Sequence, residues 1–319
     1  MHFDVFKLNS NHILVSIAIM YAFIVGEGFY GFGHDYYATY YKSNIAWGKW
    51  HDQLGYQIAT LTILDIHLGI HITSFILALT SGLLIKDHLR AKGIFSLPLF
   101  FLIFVIVIHT WPVIMSTSNA MRQGIAMSFL FVSTIFFARR KPGYFILILL
   151  FASFCHKSVL IFFPIILVSY FLSHISKNIL FHLIMGLVAF ILSLVSIPDL
   201  IVISDHKSMI VGESRIISGD YRLPFLIFAL AFIILGTLKP GNIYKGYNIF
   251  IFYFSFIFPA FYFAGLNWQF ERIGMVMLIP YILSFGSFLT KNMDRIYLCS
   301  TFITLLVMTF YTGMYASLK

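Results

Sequence analysis

Long apolar runs recur from one end of this 319-residue chain to the other, and they leave few ways for it to fold. Ile13 to Phe32, Phe95 to His109, Ile179 to Ile197 and Ile296 to Tyr311 each approach the ~20 residues that a helix needs to cross hydrocarbon. Because 60% of the residues are hydrophobic and only 10% are charged, there is too little polar surface to clothe these runs in water. A bilayer is the solvent such a chain requires. Barrel strands would alternate polar and apolar residues, and these runs do not. The expectation is an all-α polytopic membrane protein, a single transmembrane helical domain over 1–319 with roughly 10–12 transmembrane helices.

The first apolar run lacks a small-residue cleavage pattern and is followed by many more, so it reads as a retained helix rather than a removed leader. Cys155 and Cys299 lie far apart, in or beside spans, and do not indicate a disulfide framework. The net charge of +9 does not point to nucleic acid, since Lys and Arg are scattered over short loops with no binding module. Basic residues held on the cytoplasmic side of a membrane explain it better.

Spans read near 12–32, 54–85, 94–113, 120–138, 143–156, 158–172, 179–197, 223–238, 247–265, 272–290 and 296–316. The basic loops at Lys86/Arg90/Lys92 and Arg139/Arg140/Lys141 are expected inside, with the N-terminus. The stretch from Pro142 to Leu172 reads either as one long tilted helix or as two short passes turning at His156-Lys157. Two passes would place 33–53 and 198–222 as extracytoplasmic loops and bring Arg122, His156, Lys157 and Arg272 to the outer face with them. Passes of about 14 and 15 residues are too short for an unthinned core of ~30 Å, so that pair could also be re-entrant.

Several polar groups need a reason to be where they are. Ser116-Thr117-Ser118-Asn119 suits an N-cap for a helix starting near Ala120, which puts Arg122 in a first turn. A cation there opposes the helix dipole unless both hold an anion such as phosphate; the plainer alternative is an interfacial arginine reaching lipid headgroups. His156-Lys157 interrupts an apolar run, and burying an unpaired lysine would cost several kcal/mol. A bound anion or an acidic partner would compensate it, as would snorkelling. Glu271-Arg272 opens a run at Ile273, either as a local ion pair or as part of a site.

Segment 33–53, GHDYYATYYKSNIAWGKWHDQ, carries aromatics that could stack on sugar faces or form an interfacial belt. Segment 198–222 holds Asp205, His206, Lys207, Glu213, Arg215, Asp220 and Arg222, which reads first as a solvated face. His67 and His71 follow Asp65 at helical spacing, yet no further ligand cluster accompanies them, so contacts within the bundle are favoured over a metal. Glu27, among Gly26, Gly28, Gly31 and Gly33, is an acid expected in the outer half of the first helix, with no partner nameable from sequence. There is no P-loop, dinucleotide-binding glycine pattern or GxSxG elbow.

One constellation resembles a known family. Ser118-Asn119-Ala120-Met121-Arg122-Gln123-Gly124-Ile125-Ala126 is followed, after a helix and Arg139-Arg140-Lys141, by Phe154-Cys155-His156-Lys157-Ser158. This spacing resembles the EpsG-type branch of the Wzy polysaccharide polymerases. Gly33-His34-Asp35 with Tyr37, Tyr40 and Tyr41, the Leu54-Gly55-Tyr56 segment, and Glu271-Arg272 fit the same pattern.

The resemblance implies an integral glycosyltransferase of the GT-C-like kind, multi-pass in the bacterial inner membrane. It would join undecaprenyl-pyrophosphate-linked oligosaccharide repeat units at the outer face, for O-antigen, capsule or exopolysaccharide. Arg122, His156 and Arg272 are the expected catalytic residues, with Asp35, Gln123, Lys157, Arg215, Arg222 and Glu271 in substrate binding. No cofactor or metal is expected, and a chain-length-regulating co-polymerase is the partner the family implies. A lipid-linked glycan ligase would use the same cations, a flippase or transporter would leave glycosidic bonds intact, and an acyltransferase would consume an acyl donor.

Overall fold

The computed structural model describes residues 9–30, 58–61, 65–118, 121–156, 159, 161–203, 222–265 and 267–311, and every regular element among them is helical. The helices are α1 (Ser10–Gly26), α2 (Ile66–Ala91), α3 (Leu97–Ile108), α4 (Trp111–Ser118), α5 (Met121–Ala138), α6 (Pro142–Cys155) and α7 (Phe162–Ile175). They continue with α8 (Ile179–Ile203), α9 (Arg222–Leu238), the short α10 (Pro240–Ile243), α11 (Asn248–Phe263), α12 (Asn267–Gly286) and α13 (Lys291–Tyr311).

Three of these are long and apolar enough to cross a membrane by themselves, α3 and α4 reach that length only as a bent pair, a broken span or a re-entrant loop, and six shorter apolar helices of 10–17 residues accompany them. A short helix covers less than the ~30 Å core, so many of the passes expected from sequence are shorter than a straight crossing requires. The outer faces are those of a membrane protein. Only 11% of the apolar window of α8 is covered by protein, and Leu180, Ile184, Leu187, Ile191 and Val195 form an exposed stripe at helical spacing. Leu223, Ile227, Leu230, Ile234 and Leu238 do the same on α9.

The chain divides into two compact units. The first comprises Met1–Val132, Phe151–Lys157 and Cys299–Lys319; the second comprises Ser133–Leu150 and Ser158–Leu298.

In the first unit α1 and α2 pack antiparallel. Lys86 Nζ bonds the Asn11 side chain, Leu14 fills the space over Gly82, and the His71 imidazole fills the space over Gly26. A Cβ on Gly26 would lie 2.2 Å from His71 Nε2, so the glycine sets how closely the two helices approach. Asp65 caps α2 by accepting from His67 N–H at 2.7 Å, and the helix runs on to Ala91. The span expected at 54–85 is therefore corrected: it starts later, and Lys86 and Arg90 belong to its last turns rather than to a loop.

The run read as one span at 94–113 is also broken. α3 and α4 meet at a 58° bend. At the bend the His109 imidazole donates to the Val105 carbonyl at 2.7 Å and the Thr110 hydroxyl to Val107 at 2.6 Å, while Pro112 has no N–H with which to continue the ladder.

In the second unit α11 is the core element. Its residues from Asn248 to Phe256 are buried on every side, as expected of a helix apolar all round, and α7, α8, α9 and α12 pack against it. Aromatic contacts bind the layers. Phe258 stacks on Phe270 of α12 at 4.1 Å, Phe254 on Phe162 of α7 at 5.6 Å, and the Ser255 and Tyr281 hydroxyls lie 2.7 Å apart.

The question left open over 142–172 is answered by Phe145 and Tyr170, whose rings are 5.5 Å apart although 25 positions separate them. One continuous helix would hold them ~37 Å apart. The chain reverses, and α6 and α7 are two antiparallel helices. α5 ends in a glycine-type cap without a glycine. Arg140 takes φ 55°, its N–H reaches the Phe137 carbonyl, and Lys141 N–H reaches Phe136. The left-handed conformation costs a residue with a Cβ roughly 1–2 kcal/mol, which is why glycine usually holds that position.

Candidate functional site

Arg122 is the second residue of α5 and half-buried; Gln123 beside it is buried at 3% exposure. The start of this helix differs from the sequence expectation. Ser116, Thr117 and Ser118 do not cap α5 but finish α4, where the Thr117 hydroxyl donates to the Ile114 carbonyl at 2.9 Å. Side chains that bond back to their own turn favour staying helical here, so the cap reading is corrected for these three residues. Asn119 lies outside the described residues. Gly124 brings the two elements together, since a Cβ there would sit 2.1 Å from the Ser116 carbonyl oxygen. The end of α4 thus lies against the turn that carries Arg122.

Around it is a cluster that the sequence reading did not single out. The Tyr21 and Thr117 hydroxyls are 3.5 Å apart, and the rings of Tyr21 and Tyr30 lie edge-on to His109 at 5.8 and 6.0 Å. The Tyr30 phenol is itself buried and serves as a neutral hydrogen-bonding group. His109 donates from Nδ1 to a carbonyl, which leaves Nε2 available as an acceptor. The signal was present in the sequence: His109-Thr110 breaks one apolar run as His156-Lys157 breaks another. Glu27 has its partner in His71, Oε1 to Nε2 at 3.8 Å. His71 Nδ1 donates to the His67 carbonyl at 2.8 Å, so this histidine faces α1 rather than forming a chelate with His67.

His156 follows directly on α6 and belongs to the same unit as Arg122. The edge-on contact of Phe129 with Phe151, 4.9 Å between centroids, sets the register between α5 and α6 there. From that contact Arg122 lies seven residues back and His156 five residues on, about 10 Å and 7.5 Å along antiparallel axes. Both reach the same end.

In the second unit the backbone brings three further candidates to one end. Phe225 of α9 packs on Gly274 and Phe270 of α12, while Phe232 packs on Phe285 and Phe288, so α9 and α12 run parallel. Arg222 opens α9 and Glu271-Arg272 lie in the second turn of α12, one position from Phe270. Glu271 and Arg272 therefore sit inside a helix rather than before one. The helix starts at Asn267 because Phe270, fully buried against Phe258, anchors a turn that hydropathy alone does not reveal. Asp35, Lys157 and Arg215 lie outside the described residues.

A profile of the EpsG family matches residues 12–318, so it covers every candidate above. The chain belongs to the EpsG family. This is the family of Wzy-type and exopolysaccharide polymerases. No curated protein and no solved structure matches the chain. For an EpsG-family membrane protein, the Arg122-Gln123-Gly124 turn gains a concrete setting: a half-buried cation, a buried amide, and a glycine whose missing side chain admits a neighbouring carbonyl. What this end of the first unit offers chemically is a fixed positive charge with nearby neutral donors and two imidazoles, a set able to hold a phosphate and accept a proton.

Proposed function

We propose that this EpsG-family protein polymerises undecaprenyl-pyrophosphate-linked oligosaccharide repeat units at the outer face of the bacterial inner membrane. The observation that carries the reading is the common end reached by Arg122 and His156 within the first unit, in a chain whose family makes polysaccharide. A cation alone would suit any acidic lipid. A cation with an imidazole at the same level suits a reaction in which one oxygen loses a proton and another gains negative charge.

In this mechanism a sugar hydroxyl of one repeat unit attacks the anomeric carbon of another. A new C–O bond forms there as the bond to pyrophosphate breaks, and its electron pair leaves with the lipid pyrophosphate. Arg122 serves the leaving group, because guanidinium stays charged and bonds phosphate through two parallel N–H groups, and Arg272 is a second candidate for that role. His156 takes the hydroxyl proton, with Asp35 and Glu271 as its rivals. Lys157, Arg215, Arg222 and Gln123 bind the pyrophosphate and the first sugars.

The test is replacement of Arg122 by alanine in cells that depend on this protein for polymer. The expected result is loss of long chains at unchanged protein level, with single repeat units remaining. Normal chain-length ladders from the Arg122→Ala variant would defeat the assignment.

A further inference from the structure

The second unit holds a cavity of about 260 Å³ that the polymerase reading does not use. Its walls come from the ends of α5 and α7 and from the turn between α10 and α11: Arg140, Tyr170, Ser173, His174, Lys177 and Tyr244 carry its chemistry. No acidic residue lines it. It lies at the end of the unit away from Arg222 and Arg272, since Asn248 and Lys239, at that end, bond Ser287 and Phe288 just beyond the last turn of α12.

Two cations face this space with bonding capacity left. The Arg140 guanidinium makes no hydrogen bond or ion pair with any described residue. Lys177 Nζ donates once, to the Ser173 carbonyl at 2.5 Å, and lies 4.5 Å over the Tyr244 ring, which leaves two of its N–H groups unused. The His174 Nδ1 donates to the Tyr170 carbonyl at 2.8 Å, so its Nε2 edge is not needed within its own helix.

Complementing the two helix C-termini would be sufficient reason for basic residues here, but that role requires no particular backbone at position 140. Arg140 instead occupies a left-handed position where glycine would relax the chain. A strained residue that keeps its side chain beside a cavity points to use of that side chain.

We infer that this pocket binds a phosphate group, carried either by an acidic phospholipid headgroup or by a small soluble phosphate compound. Size favours something small. Ligand sites for drug-sized molecules start at about 300 Å³, so this cavity suits a phosphate with a glycerol-sized substituent and not a nucleotide or a lipid-linked oligosaccharide. On the sidedness read from the basic loops, the pocket faces the cytoplasm, where anionic headgroups attract basic pockets between helices.

The experiment uses the full-length protein in detergent. Native mass spectrometry with added phosphatidylglycerol or phosphatidylcholine forms one arm, and calorimetric titration with glycerol 3-phosphate forms the other. Wild type should retain phosphatidylglycerol at least tenfold more strongly than phosphatidylcholine if the source is lipid, or should bind glycerol 3-phosphate if the source is soluble. Either preference should fall at least tenfold in Arg140→Gly and in Lys177→Met.

Arg140→Gly relieves the left-handed turn and Lys177→Met keeps the packing on Tyr244, so thermal unfolding should show both variants folded. Absence of both preferences in wild type overturns the inference. So does wild-type binding in the two folded variants.

Discussion

A methyl group on Gly124 would sit 2.1 Å from the Ser116 carbonyl oxygen, and a backbone carbonyl inside a helix cannot swing aside. Gly124→Ala is therefore expected to lower stability by about 1–3 kcal/mol and to move the Arg122 turn, read as a lower unfolding temperature in detergent with loss of polymer. Gly26→Ala should cost less, because what it meets is the rotatable His71 ring; Gly143→Ala, in open space, should be tolerated. A second pair of residues separates a satisfied hydroxyl from an unsatisfied one. His182 Nε2 donates to the Ser176 carbonyl at 3.0 Å, so its Nδ1 accepts from the Tyr253 hydroxyl at 2.6 Å, with both residues fully buried. Tyr253→Phe leaves that nitrogen without a donor and should destabilise by about 1–3 kcal/mol. The Tyr244 hydroxyl is buried without a hydrogen-bond partner among the described residues, so Tyr244→Phe should be neutral or slightly stabilising in the same unfolding assay. At this scale the sequence disclosed which residues are costly in a membrane and little about what they meet. Glu27 was conspicuous, but His71 stands 44 positions away, and only the α1–α2 register joins them.

Helices with sharp edges in hydropathy were legible. The spans expected at 120–138 and 223–238 correspond to α5 at Met121–Ala138 and α9 at Arg222–Leu238, bounded by basic residues in both cases. The break at His156-Lys157 was visible for the same reason, although the direction of the following helix needed the Phe145–Tyr170 contact. The bend between α3 and α4 was passed over although His109-Thr110 marks it, because isoleucine and valine continue on both sides of it. The start of α12 was hidden because Asn267-Trp268-Gln269 reads as a loop until Phe270 is seen stacked on Phe258. That stack should hold the turn bearing Arg272. Replacing Phe258 by alanine is expected to cost about 2 kcal/mol, the cavity part of such a change, since lipid offers the exposed ring as apolar a home as the core does. Its unfolding temperature should fall and polymer yield should fall with it; an unchanged protein would deny the stack any role in placing α12.

At the scale of the whole molecule the proposed glycosyl transfer requires a defined sidedness, which each unit can be tested for by itself. Within the second unit Leu223, in the first turn of α9, and Lys245, in the turn before α11, mark opposite ends. In a background lacking Cys155 and Cys299, Leu223→Cys should react with an impermeant thiol reagent only from the outside, and Lys245→Cys only from the inside. Labelling of both from one side would contradict the sidedness. The candidate site was legible in composition and motif, as cations and a histidine at a membrane face. Its grouping into shared helix ends was not, because that follows from register set by aromatic contacts, antiparallel between α5 and α6 and parallel between α9 and α12. The most direct test of glycosyl transfer is to incubate the purified protein with a synthetic undecaprenyl-pyrophosphate repeat unit and analyse the products. The account predicts a ladder of oligomers with one lipid pyrophosphate released for each bond formed, whereas unextended repeat units with no pyrophosphate released would contradict it.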